Sequence, residues 1–397
     1  MSRSGPGAHS APGDNGAVLG FYVHVPFCSV RCGYCDFNTY TASELGGASA
    51  PAGASRATYA EAALAEVRFA RATWPDEDRP VSTVFFGGGT PTLLPPEDLT
   101  RLVAGIDETF GLAPDAEVTT EANPDSVSAD DLARLREGGL NRISFGMQSA
   151  VRPVLAVLDR THDPERVPRV VEWARAAGFD QVSLDLIYGT PGESLEDWAT
   201  SVDSALACAP DHVSAYSLVV EQGTALARRV RRGEVAPVDD DDLADKYVLA
   251  DERFGRAGLG WYEVSNWARD DAARCRHNLG YWRGDDWWGV GPGAHSHRDG
   301  VRWWNVKHPA EYARRLDAGE SPEAGREELT AEERHTEALL LGIRLAEGLP
   351  TSVLAYDEQR RLPALEQEGL LDVVGDRVRL TVRGRLLADG VVRDLLD

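Results

Sequence analysis

Short runs of β-branched and aromatic residues alternate with longer amphipathic stretches from residue 20 to about residue 220. Strands are predicted at 20–25, 83–86, 117–121, 142–146, 181–188 and 212–218. Segments such as 59–72 and 130–138 space their apolar residues as a helix with one buried face does. Mostly buried strands separated by helices belong in a parallel sheet covered on its sides. Six such units predict an α/β fold, a partial (β/α)6 barrel. The small-residue segment 44–55 reads as a surface loop.

Beyond residue 220 the alternation loosens. The acids at 239–242 read as a solvated helix start rather than a metal site. Stretches 261–267 and 276–288 are dense in aromatics. Thr330 can cap a further helix, with Glu333 closing a capping box. An apolar stretch at 365–371, a hairpin pattern at 373–378 and a last helix follow. That order resembles a small winged-helix unit, so a smaller α+β domain is expected at the end. The division predicted is a disordered tail at 1–19, the barrel at 20–265 and a C-terminal domain at 266–397. The tail is rich in Gly, Ala, Ser and Pro and lacks the apolar core of a signal peptide.

Composition narrows the partners. The formal net charge is −23, which argues against nucleic acid, since a phosphate backbone wants a basic face. The same setting makes DNA binding by the winged-helix-like unit a poor reading. No run of about 18 apolar residues suggests a membrane-spanning helix. Lys246 and Lys307 are the only lysines, which reads as compositional bias. The five cysteines are Cys28, Cys32, Cys35, Cys208 and Cys275. Without an export signal they point to a cytoplasmic protein with metal or redox chemistry rather than a disulfide framework.

The order Cys28-Ser29-Val30-Arg31-Cys32-Gly33-Tyr34-Cys35 places three thiols on one short loop after the first strand. Thiolates are the usual ligands of iron–sulfur clusters. Three ligands to a [4Fe–4S] cluster leave one iron open to the amino and carboxylate groups of a methionine moiety. The competing reading is zinc, with His24 or Asp36 as fourth ligand, although zinc sites prefer paired Cys-x-x-Cys units. In β/α barrels chemistry gathers at the carboxyl ends of strands. There this chain carries Gly87-Gly88-Gly89-Thr90-Pro91, then Glu121, Gln148, Asp185 and Tyr216. A triple glycine permits close backbone approach. Glu121 can accept from ribose hydroxyls, and Arg160 can face a carboxylate. Asp185, inside the run Leu184-Asp185-Leu186-Ile187, needs a partner if buried. Their ordering suits S-adenosylmethionine.

The chain resembles the radical S-adenosylmethionine superfamily, in its oxygen-independent coproporphyrinogen III oxidase-like branch. The resemblance is carried by Tyr22-Val23-His24-Val25-Pro26-Phe27-Cys28, the cysteine loop, and stretches 86–92, 120–126, 142–149, 184–192 and 262–267. It implies Cys28, Cys32 and Cys35 as cluster ligands. It implies Tyr22, Gly88, Gly89, Thr90, Glu121, Gln148, Arg160 and Asp185 as S-adenosylmethionine contacts, the last three resembling a second such position. Tyr34 stands where the family places an aromatic residue.

Two departures separate the branches. The oxidase carries a further cysteine two residues after the third ligand, where this chain has Phe37, and it tends to have a structured extension before the loop. The segment Arg276-His277-Asn278-Leu279-Gly280-Tyr281-Trp282 resembles instead the His-Asn-x-x-Tyr-Trp signature of HemW-type heme chaperones. Imidazole is a common axial ligand of heme iron, so His277 is the expected heme contact. Tyr281, Trp282, Trp287 and Trp288 would offer flat apolar contacts. The competing reading makes His277 and these aromatics core. The resemblance implies heme, heme-acceptor proteins and a homodimer as partners. The alternatives are a radical oxidase acting on a porphyrinogen and a non-catalytic iron–sulfur scaffold.

Overall fold

The first strand, β1 (Leu19–Val25), is buried at six of its seven residues, so it must lie inside a sheet covered on both faces. The structure, a computed structural model, describes residues 18–46 and 54–397. The expected tail lies outside the described residues up to residue 17, as does part of the surface loop, residues 47–53.

Five strands extend from β1 in parallel order: β2 (Val81–Gly88), β3 (Leu112–Ala122), β4 (Arg142–Gln148), β5 (Gln181–Tyr188) and β6 (His212–Ser217). The six predicted strands are these six. Helices Arg56–Thr73, Pro96–Phe110, Ala129–Glu137, Arg166–Ala177 and Leu195–Ala207 run between them. Local chemistry sets two of the starts. Ser128 with Asp131, and Ser194 with Asp197, form reciprocal capping boxes, each satisfying two otherwise unpaired N–H donors. The sheet curls without closing, a partial barrel as expected.

The sheet is wider than six strands. β7 (Gly260–Glu263) and β8 (Asn266–Ala268) form a hairpin whose second strand pairs antiparallel with β6. On the other edge β9 (Asp286–Val290) runs parallel to β1, followed by antiparallel β10 (His295–Arg298), β11 (Val301–Asn305) and β12 (Glu323–Glu328). Glu66, fully buried, ties this edge to the helix Arg56–Thr73. Its carboxyl group accepts from Gly291 N–H at 2.7 Å, Asn305 Nδ2 at 2.7 Å, Trp288 Nε1 at 3.3 Å and the Tyr312 hydroxyl.

A separate core of Leu339, Ile343, Leu371, Val378, Val391 and Leu395 builds the smaller unit. It holds the three-stranded sheet of β13 (Leu349–Pro350), β15 (Arg377–Leu380) and β14 (Leu371–Val374), in that spatial order, with helices Ala331–Gly342, Leu362–Gln367 and Ala388–Leu396. The Thr330–Glu333 capping box is present. Arg385 docks the unit, bonding Asp251 at 3.0 and 2.8 Å while its guanidinium lies 4.3 Å from the Trp261 ring centre. The expected division at 265/266 falls between two strands that pair with each other, Trp261 opposite Trp267. Residues 266–328 complete the large sheet, and the independent core begins after Thr330.

Candidate functional site

The cysteine loop leaves β1 and is pinned on every side by backbone bonds. Cys28 N–H donates to Tyr40 O at 3.0 Å, Cys35 N–H to Cys32 O at 3.2 Å, and Leu226 N–H to Gly33 O at 2.8 Å. Asn38 Nδ2 reaches Pro292 O at 2.9 Å and Lys307 O at 2.8 Å. Where β2 ends, Gly89 N–H donates to Val25 O and Thr90 N–H to Phe27 O, both at 2.8 Å. Glycine is required there. A Cβ on Gly89 would lie 2.4 Å from Phe27 O, and Gly88 has φ +103° with His24 within 2.6 Å of a would-be Cβ.

Loop and strand ends enclose a cavity of about 530 Å³ lined by Cys28, Cys32, Tyr34, Cys35, Gly88, Gly89, Thr90, Glu121, Gln148, Arg160 and Asp185. Eleven residues expected from sequence thus meet in one place. All three thiols are free and partly exposed. Burial raises the Cys28 pKa and takes that of Cys35 to about 11, so ligation must displace their protons. Among the described residues no three His, Cys, Asp or Glu side chains converge on a single-ion position. A four-iron cluster takes each thiolate on a different iron and needs a ring of thiols rather than a point. His24, a candidate fourth zinc ligand, has both ring nitrogens engaged, with the Tyr22 hydroxyl at 3.0 Å and Asn38 O at 2.9 Å.

The polar wall carries both signs of charge. Arg160 Nη1 lies 3.8 Å from Cys32 Sγ, and Nη2 donates to Gly146 O at 2.8 Å. Gln148 sits at φ +60°, a conformation a non-glycine residue holds only when its surroundings fix it. Asp185 accepts from the Ser144 hydroxyl at 2.8 and 2.9 Å, the partner its apolar run required. Burial, then the Asp185 charge, raises the Glu121 pKa to about 8. Glu121 is therefore largely a neutral acid at pH 7 and can donate as well as accept. At the mouth, Val30, Phe37, Tyr216 and Val219 expose apolar surface.

Two expected site residues lie elsewhere. Tyr22 is behind the wall, bonded to His24. His277 is 3% exposed and does not line the cavity. Its Nδ1 bonds Thr83 Oγ1 at 2.8 Å and its Nε2 bonds the Tyr281 hydroxyl at 2.8 Å. Both ring nitrogens are thus engaged by side-chain hydroxyls, the arrangement that the competing core reading of His277 expects. Trp288 packs on Trp74 and Trp303, and the partly buried Trp282 packs against a small apolar cluster that includes Tyr262 and Leu279, so both contribute to packing.

Sequence reasoning missed the lower lining: Thr119, Arg142, Ser183, His212, Ser214 and Asn278. The signal was present. Counting back by twos from Glu121, Gln148, Asp185 and Tyr216 gives Thr119, then Ser144 and Arg142, then Ser183, then Ser214 and His212. Alternate residues of a strand share a face, and here that face is the cavity wall.

Residues 22–205 match the Radical SAM superfamily and residues 329–387 the HemN C-terminal domain. A heme chaperone HemW of Mycobacterium tuberculosis is 54% identical over 98% of this chain and 97% of its own length. The chain belongs to the HemW family. Other HemW proteins are more distant: that of Bacillus subtilis is 33% identical over 93% of this chain and 97% of its own, that of Escherichia coli 32% over 94% and 97%. The fold is shared with the radical SAM enzyme coproporphyrinogen III oxidase, HemN, of Escherichia coli, at TM-score 0.80 over 96% of this chain and 90% of that one, with 24% identity. HemW membership agrees with Phe37, which leaves the mouth of the cavity without a fourth thiol.

Proposed function

We propose that this chain binds heme and hands it to acceptor apoproteins, using a cavity that holds a [4Fe–4S] cluster and S-adenosylmethionine. The observation that carries the reading is the full-length kinship, at 54% identity, to a protein named as a heme chaperone. Cys28, Cys32 and Cys35 would hold the cluster. Gly88, Gly89 and Thr90 would present backbone to the methionine end of S-adenosylmethionine, Glu121 would meet the ribose, and Gln148, Arg160 and Asp185 would complete the polar wall beside Tyr34. When bound, the cluster supplies a low-potential electron and an open iron. Tyr22 acts one step back, through His24 and Asn38, to fix the loop. Heme would gain its apolar contact at the mouth, on Val30, Phe37 and Val219, in place of His277. Among the described residues no helix is long and apolar enough to cross a membrane. The work would take place in the cytoplasm, where thiols stay reduced and Cys28, Cys32 and Cys35, free here, keep their ligand form.

Anaerobic reconstitution should give a four-iron cluster in the wild type and a large loss of bound iron in Cys32→Ala. Full retention in that variant would sink the ligand assignment. Heme added to the loaded protein should develop a Soret band at stoichiometric binding, and Phe37→Glu should weaken that binding severalfold. Conversion of coproporphyrinogen III under reducing conditions would overturn the chaperone reading in favour of the oxidase. Sizing the protein with and without its cluster tests the homodimer.

A further inference from the structure

The inward row of β4 begins with a charge far from the cluster loop. Arg142 is 2% exposed and lines the floor of the cavity. Among the described residues its guanidinium makes one hydrogen bond, from Nη1 to Ala273 O at 2.8 Å, and no ion pair. The two carboxylates nearest it in charge are engaged by other donors. Glu117 accepts from the N–H groups of Arg276 at 2.9 Å and His277 at 3.1 Å, at the start of the helix Arg276–Arg283. Asp185 accepts from Ser144. Glu117 and Asp185 act on the Arg142 charge only at longer range, so no carboxylate meets the guanidinium fork directly, and a buried guanidinium gains most from a direct, hydrogen-bonded partner.

Two further donors share the floor. The Thr119 hydroxyl, fully buried, has no hydrogen-bond partner among the described residues. Asn278 lines the same end, and its side-chain amide makes no hydrogen bond among them either. His212 is not available, because its nitrogens join Ser183 Oγ and the Tyr262 hydroxyl, both at 2.8 Å. The fork of an arginine matches a carboxylate in two parallel bonds. This place is distinct from the cluster end. Four residues of strand separate Arg142 from Gly146, where Arg160 is anchored, a rise of roughly 13 Å. A methionine carboxylate held by Arg160 leaves Arg142 unanswered.

We propose that the cavity floor, Arg142 with Thr119 and Asn278, is a carboxylate-binding subsite for a guest that reaches past the cluster end. Two sources share that chemistry: a propionate of heme, or a free small organic acid. Only the first rests on the heme-chaperone reading.

Heme and its dimethyl ester, whose propionates carry no charge, are titrated into cluster-loaded wild type, Arg142→Gln and Thr119→Val, and glutarate is titrated into each by calorimetry. With a propionate on the floor, Arg142→Gln weakens heme binding about 10- to 100-fold and Thr119→Val about three- to tenfold, while the ester binds all three proteins alike. With a free acid there, glutarate binds the wild type and not Arg142→Gln, and heme affinity is unchanged. Equal heme affinity in all three, with no glutarate binding, overturns the subsite and leaves the chaperone reading standing. Absence of heme binding to the wild type overturns the chaperone reading instead, and the glutarate arm then decides the subsite. If Arg142→Gln loses its cluster or its circular dichroism, Thr119→Val, close in shape to the native residue, decides alone by the same comparisons.

Discussion

Both nitrogens of His277 face hydroxyls, and burial lowers its pKa to about 3. The ring is therefore neutral, donating to one hydroxyl and accepting from the other. Its ring also stacks on Phe85, with centroids 5.2 Å apart at 20°. His277→Ala is expected to leave the Soret position of the heme complex unchanged while costing about 2–4 kcal/mol of stability. A shifted Soret band with stability intact would return the imidazole to the iron. The linkage has a definite sign. The unfolded imidazole takes up a proton below about pH 6.5 and the folded one resists until about 3, so His277 costs stability as pH falls through that window. The alanine variant should lose less on acidification than the wild type, as read by urea titrations at pH 7 and pH 5.

At the scale of elements, Thr330 and Glu333 show how local the signals are that start a helix. Each side chain bonds the other's backbone N–H, at 3.2 and 2.8 Å. Thr330→Ala should destabilise the C-terminal unit by about 1 kcal/mol, with faster hydrogen exchange in the helix Ala331–Gly342 and little change in the large sheet; uniform protection in both proteins would refute it. Such signals were readable in advance, as were the strands whose neighbours follow in sequence: 181–188 is β5 to the residue. What escaped depends on distant pairing. β9 looked like a porphyrin-facing aromatic run because its Trp288 gains a strand environment only by lying beside β1. The expected boundary at 265/266 falls inside a strand pair for the same reason, since β8 turns back to β6. At the site, the cysteine loop and the strand-end motifs name eleven residues that the fold brings to one cavity, because loop chemistry is local. The role of His277 is not local in this way, because only the fold reveals that Thr83 and Tyr281 engage its nitrogens and hold its helix against the sheet.

The whole molecule carries a pH dependence set by acids it has buried. Glu66, Glu121, Glu193 and Glu263 are raised to about 7, 8, 7 and 8, in each case chiefly by burial. Unfolded, all four ionise near pH 4.5. Folded, they keep their protons for several units more, so the native state binds more protons and unfolding becomes easier as pH rises. Below about pH 6.5 the buried histidines work in the opposite direction and mask this. In the window from about pH 6.5 to 8 the histidines lose most of their unfolded-state charge, and their remaining titration is common to the wild type and a single-acid variant, so comparing the two isolates the acid. Glu263 is the clearest case, since it stands away from the cavity lining and is 1% exposed. One of its oxygens has no hydrogen-bond partner among the described residues. It should contribute a loss of about 2 kcal/mol across that window. Glu263→Gln mimics the protonated acid, so its unfolding free energy without cofactors should fall less from pH 6.5 to 8 than that of the wild type. Parallel declines in the two proteins would place Glu263 among the ionised groups at neutral pH and refute the assignment. The same sign makes Glu121 informative in the loaded protein. A guest that accepts a proton from its carboxyl group should weaken at high pH, whereas one that needs the carboxylate should strengthen.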